Sequence, residues 1–306
     1  VLTILPKPVQ PVAPYLSVLK FNPDQPRQPA GSEHGGEFAK ETSNPTHARR
    51  DEVEQLGKDI FEEAHRIAPG HDRSTTGGYS MYHRADVKAH IQDDLTARLK
   101  GHPAFADMDE ETLLTWVQGK IDLWAETSGD SDLDAAVMQL AVQQEFGLTG
   151  AATDHLQKNL GFPLTLSGKE ADQLRAFVRA EYEATQAWFK KRGITHVTAL
   201  RGMDDDPRDK RLGFGYETIT MQPASSWAVD VQTAFAFTTN KSNPKILTTR
   251  VPVEQVLSTC LTGRGCLAEK EILLLGKPQR AHIFGVSGDD FSPDSSDTKR
   301  ILHSLE

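Results

Sequence analysis

Cysteine is nearly absent from this 306-residue chain: Cys260 and Cys266 are the only two. That is too few for a disulfide-built secreted scaffold, and short of the four soft ligands of a structural zinc site. Positive charge is also in the minority. The 34 Lys and Arg stand against 43 Asp and Glu, giving net charge −9, so a nucleic-acid partner gripped by a basic surface is not expected. No run of about 18 apolar residues occurs, so no membrane-spanning helix and no membrane partner is expected either. The chain opens at Val1 without a charged-then-apolar leader, and we expect an upstream segment that would carry any targeting signal.

What is present is unevenly distributed. Eight of the 17 prolines fall in residues 1–50, where they forbid a regular helix or central strand. Large apolar side chains are sparse there, too sparse to offset the entropy of ordering, which predicts a disordered Pro-rich arm or linker over 1–50. Within it, the tract FNPDQPRQPAGSEHGGEFAK, Phe21 to Lys40, resembles bacteriophage head-associated proteins of the minor head type. Phage head or capsid proteins are the partners that likeness implies.

From Asp51 the composition turns to charged and apolar residues at helical spacing. Helices are predicted over 51–67, 84–100, 109–126, 131–146 and 169–192. In the last, Leu174, Phe177, Val178, Trp188 and Phe189 share one stripe, and Gly193 supplies the stop. Beyond Gly193 the rhythm becomes that of short strands, at 194–201, 217–221, 245–251, 269–275 and 280–286. Brief helices are expected near 229–237 and 253–258, and the polar tail 289–306 reads as frayed. The fold class is therefore α+β: a helical domain over 51–168, then a small β-rich domain over 169–288 led by the helix 169–192.

Three pieces of the β-rich part carry chemistry in a fixed order. Leu200-Arg201-Gly202 ends a strand. Ala224-Ser225-Ser226-Trp227 precedes the helical Asp230 to Phe237 stretch. Glu269-Lys270-Glu271 opens the apolar run Ile272 to Leu275. This ordered trio resembles the Arg, Ser, Glu-x-Glu signature of mono-ADP-ribosyltransferases of the cholera-toxin and clostridial-toxin type, over Lys169 to Val286. The resemblance implies an enzyme that uses NAD as substrate, without a metal, to modify a target protein. Glu269 would handle the acceptor, and a guanidinium acceptor, an arginine, goes with that pattern.

The residue chemistry agrees. Residues i and i+2 of a strand face one way, so Glu269 and Glu271 are expected to project together while Lys270 turns aside. Breaking the bond between nicotinamide and ribose passes through an oxocarbenium-like state, which a carboxylate such as Glu271 would stabilise. Nicotinamide departs as a neutral ring and needs no general acid. The planar fork of Arg201, with Gly202 beside it, suits phosphate oxygens. Ser225, or less favourably Ser226, would hydrogen-bond Glu271 and fix its rotamer. Phe235 or Phe237 could stack on nicotinamide or belong to the core.

Other readings share these residues. Water as acceptor would make the protein an NAD glycohydrolase. A virion structural protein with a transferase-like binding module would use the Pro-rich arm. The two resemblances together suggest a phage- or bacterium-delivered effector, set in a bacterial cytoplasm or a virion. Cys260 and Cys266 read as free thiols or as a small bridged loop. Gly213-Phe214-Gly215 reads as a turn, and Trp116 and Trp124 as core. The spacing of His65, His71, His83 and His90 gives no metal-binding face.

Overall fold

Val53, Leu56, Ile60 and Ala64 recur at steps of three and four residues, so one turn after another of α1 (Arg50–Ile67) presents a buried apolar edge. Asp51 and Glu52 in its first turn and His65 and Arg66 in its last complement the helix dipole. The computed structural model describes residues 48–69, 81–126, 133–148, 165–204, 213–239, 241–286 and 295–305, with backbone alone at 81–84 and 123–126. Most of the Pro-rich arm expected over 1–50 lies outside the described residues, as do the Trp124 side chain, His71 and the His83 side chain.

The same periodicity builds α2 (Met81–Leu99) and α3 (Glu110–Glu126), whereas α4 (Leu133–Glu145) is buried nearly all round, from Ala135 to Gln139 and at Ala141 and Val142. Trp116 on α3 sits edge-on to both Phe105 and Phe177, with ring centroids 5.0 Å and 5.7 Å away. The long helix α5 (Gly168–Arg192) buries Leu174, Phe177, Val178, Trp188 and Phe189. Gly193 ends it at φ +68°, a left-handed conformation that a residue without Cβ adopts cheaply.

The strands are β1 (His196–Asp204), β2 (Gly215–Ile219), β3 (Ser225–Ala228), β4 (Pro244–Pro252), β5 (Val256–Thr259), β6 (Glu271–Leu274) and β7 (Gln279–Gly285). They form one seven-stranded antiparallel sheet in the order β2-β7-β4-β1-β3-β6-β5. Two further helices, α6 (Val231–Ala236) and α7 (Ser296–Ser304), complete an α+β architecture. β1 and β4 pair along their full length, from His196↔Pro252 to Asp204↔Pro244. β1 and β3, by contrast, pair only at Leu200↔Ala228.

Alternation along β1 assigns the two faces of the sheet. Val197 and Ala199 join a large core cluster that runs through α1 to α5, whereas Leu200 joins a smaller one with Phe235, Ile246, Phe284, Ile301 and Leu305. The helical part and the sheet therefore share a core, and the described residues fall in one compact unit rather than dividing near residue 168. The edge strand β5 is covered by α5, where the Gln186 amide donates to the carbonyls of Val253 and Val256 at 2.9 Å and 3.1 Å.

Two expectations are corrected. Residues 253–258 make one 3-10 turn, Val253–Gln255, and then enter β5, because Val256 and Leu257 gain more from a fully buried strand beside β6 than from a helix. The tail is ordered over α7. Ser295 caps the helix by accepting the Thr298 amide, and the fully buried Ile301 anchors it on the smaller cluster.

Candidate functional site

Arg201 and Gly202 do not end their strand as expected: β1 runs on to Asp204 because its pairing with β4 continues through Leu247 and Ile246 to Pro244, and only the β1–β3 ladder has stopped before them. The Arg201 guanidinium spans to β3 and donates to the carbonyl oxygen of Ser226. Gly202 lies directly beneath α6. A Cβ there would penetrate the Ala234 carbonyl and come within 3.1 Å of the Phe237 Cβ, so only glycine permits this approach. Phe237 closes α6 and is 45% exposed, while Phe235, 1% exposed, belongs to the smaller core cluster.

The register of β3 against β6 separates the two serines. Ser226 lies opposite Leu273 and Ala228 opposite Glu271, whereas Ser225 lies opposite Leu274. Strand alternation puts Ser226 and Glu271 on one face and Ser225 and Trp227 on the other. The Ser225 hydroxyl accepts the Trp227 indole N–H at 3.0 Å. Ser225, expected to hold Glu271, is instead a buried partner of Trp227, and the serine that shares a face with Glu271 is Ser226. Arg201, one residue past Leu200, also points away from the Glu271 face by alternation, although its long side chain reaches the β3 backbone.

Glu271 is 4% exposed. Its Oε2 accepts the Cys266 N–H at 2.7 Å, and Oε1 has no partner among the described residues. Glu269 does not belong to the strand. It ends a 3-10 turn, Leu267–Glu269, and Lys270 follows at φ +47° before β6 begins at Glu271. The two carboxylates are neighbours through this turn rather than through strand alternation. Burial first, and the charge of Glu271 second, push the Glu269 carboxyl above its ordinary pKa. Lys270 reaches Asp230 at 2.8 Å, and Asp230 also caps α6 by accepting the amides of Gln232 and Thr233.

One participant went unread in the sequence. The loop between β5 and β6 carries Arg264, which meets Glu181 of α5 in an ion pair 0% exposed on both sides. The main-chain N–H, Nε and Nη2 of Arg264 all donate to that carboxylate, and the guanidinium lies 5.7 Å from the Phe177 ring centroid. The flanking glycines of Gly263-Arg264-Gly265 mark an unusual loop, but nothing local points to Glu181. Cys260 is buried, Cys266 is half-buried, and both are free thiols. Burial raises both thiol pKa values, so neither is a ready thiolate.

Among the described residues no group of three or more His, Cys, Asp or Glu side chains is placed to hold a metal ion. No described helix is long and apolar enough to cross a membrane. No protein-family model, no curated protein and no solved structure matches the chain.

Proposed function

We propose that the protein transfers ADP-ribose from NAD to a protein side chain, arginine being the acceptor that the Glu-x-Glu pattern implies. One observation carries the reading. Arg201, Ser226 and Glu271 stand on three neighbouring strands, β1, β3 and β6, where the β1–β3 ladder stops after a single pair. An extended ligand would lie along the gap beyond that pair, on the face that carries Ser226 and Glu271, with Arg201 reaching it from the other face as its side chain crosses to β3.

In this reading the Arg201 guanidinium grips the pyrophosphate. The glycosidic bond from ribose C1′ to the nicotinamide nitrogen breaks with both electrons passing to the ring, which leaves neutral. The carboxylate of Glu271, held on one oxygen by Cys266 and open on the other, faces the oxocarbenium charge. A guanidinium nitrogen of the acceptor forms the new bond to C1′, and Glu269 takes the proton that nitrogen releases. A carboxyl with a raised pKa is the better base for that step. Phe237, exposed at the end of α6, is the aromatic available for stacking. The Phe21–Lys40 tract favours an effector delivered by a phage or bacterium.

NAD labelled in its adenylate half, incubated with the full chain and a bacterial lysate, should label protein. Glu271→Gln should lower that labelling by about a hundredfold or more. Equal labelling by wild type and variant would reject the mechanism. Free ADP-ribose without labelled protein would make water the acceptor and the protein a glycohydrolase.

A further inference from the structure

We infer that Lys270, the residue between the two glutamates, is a positioning residue that holds Glu269 in place for the acceptor; this rests on the transfer reading above. Lys270 adopts φ +47°, a conformation that a side chain bearing a Cβ disfavours and glycine would take freely. Glycine could not supply the ion pair that this turn makes. The Lys270 ammonium meets Asp230 Oδ2 at 2.8 Å, and the Lys270 carbonyl accepts the N–H of Val229, the residue before Asp230, at 3.4 Å.

Asp230 is used twice. While Oδ2 takes Lys270, Oδ1 takes the amides of Gln232 and Thr233 at 2.8 Å and 3.2 Å, starting α6. That helix in turn rests on Gly202, next to Arg201. A chain of contacts thus links the phosphate-gripping end of the proposed site to the carboxylate end: Gly202, α6, Asp230, Lys270 and the turn of Glu269.

The link matters unequally to the two glutamates. Glu271 is tied independently, through the Cys266 N–H and the ladder to β3. Glu269 lies outside the ladder, and the charge of Glu271 repels it. With the Lys270–Asp230 pair gone, that repulsion turns Glu269 towards solvent while Glu271 stays in place. Loss of Lys270 therefore impairs transfer to the acceptor more than cleavage of NAD.

The test uses the full chain with labelled NAD and polyarginine as the guanidinium acceptor, following labelled peptide and free ADP-ribose separately. Lys270→Met should lower transfer about tenfold and leave NAD cleavage without acceptor within about twofold of wild type. Lys270→Arg, which keeps the pair, should restore the ratio. A Lys270→Met protein with the wild-type ratio, or with both activities falling together, would overturn the inference. A wild type that consumes no NAD would reject the transfer reading itself, and with it this role for Lys270. Amide exchange over 266–271 then judges the tether alone: it should quicken in Lys270→Met and not in Lys270→Arg, and unchanged exchange would reject the tether as well.

Discussion

Glu181 and Arg264 face each other with no solvent on either side chain, and the carboxylate collects the main-chain N–H, Nε and Nη2 of the arginine. A buried ion pair of this kind is expensive to break by halves, because the surviving charge has no water to turn to. It fixes the loop of Arg264 and, two residues further on, the Cys266 N–H that binds Glu271. Glu181→Gln should therefore lower unfolding free energy by roughly 3–5 kcal/mol, whereas the double variant Glu181→Met with Arg264→Met should lose less than either single change. Urea unfolding midpoints check both. A Glu181→Gln protein as stable as wild type would mean that the pair is not desolvated as described.

Gly202 is the second position with little tolerance. Since a Cβ would run into the Ala234 carbonyl, Gly202→Ala must displace α6, at a cost of about 1–3 kcal/mol. Displacing α6 moves Asp230 and Phe237 with it, so on the transfer reading KM for NAD should rise as well. Calorimetry and steady-state kinetics on one preparation measure the two effects. Unchanged stability would show that α6 is less tightly seated on β1.

How far the sequence disclosed this arrangement depends on the range of the interaction. The buried stripe of α5 and the Gly193 stop are local patterns, and they appear in the structure where the periodicity put them. Glu271 opening an apolar strand is equally local, whereas the strand of Arg201 runs past its expected end to Asp204 because β4 pairs with it throughout. The choice between Ser225 and Ser226 was not legible, because it depends on the β3–β6 register, and a shift of one residue exchanges their faces. Nor was the Glu181–Arg264 pair, whose partners meet only once α5 covers β5. The turn at Lys270 was masked by a continuous strand-like run from Glu269. In the tail, Thr298, Ile301 and Leu305 do follow helical spacing, a short signal that the surrounding polar residues outweighed.

Stability should depend on pH through Glu269. Its folded pKa lies above the ordinary carboxylate value, because burial and the Glu271 charge both disfavour ionisation. A group raised on folding contributes stability that is fully present below its unfolded pKa, about 4.3, and lost as pH rises through the folded value. At neutral pH Glu269 is therefore a net burden, and Glu269→Gln should melt higher than wild type there. The advantage should shrink as pH falls below the carboxylate range. Asp230 acts in the opposite sense. Burial pushes its pKa up, but Lys270 and two backbone amides outweigh that and hold it low, so its contribution is lost only as pH falls through that lowered value. Melting temperatures across this range test the sign, and a Glu269→Gln protein that melts lower than wild type at neutral pH would contradict it.

The two serines should part company under mutation. Ser225 is buried and accepts the Trp227 indole N–H, so Ser225→Ala leaves that donor without its acceptor, a loss of about 1–3 kcal/mol. Ser226 is half-buried on the Glu271 face, and no described side chain uses its hydroxyl, so Ser226→Ala should change stability by no more than about 0.5 kcal/mol. On the transfer reading the order reverses for activity. Ser226 shares the face of Glu271, diagonal to it across the ladder, and its own main-chain carbonyl accepts from Arg201, so loss of its hydroxyl should reduce NAD turnover at unchanged stability. Ser225→Ala should reduce turnover only in proportion to the unfolded fraction. Unfolding curves and NAD consumption measured on both variants separate the effects. A stable Ser225→Ala protein that has lost turnover would return the catalytic hydroxyl to Ser225 and require β3 to slip by one residue against β6.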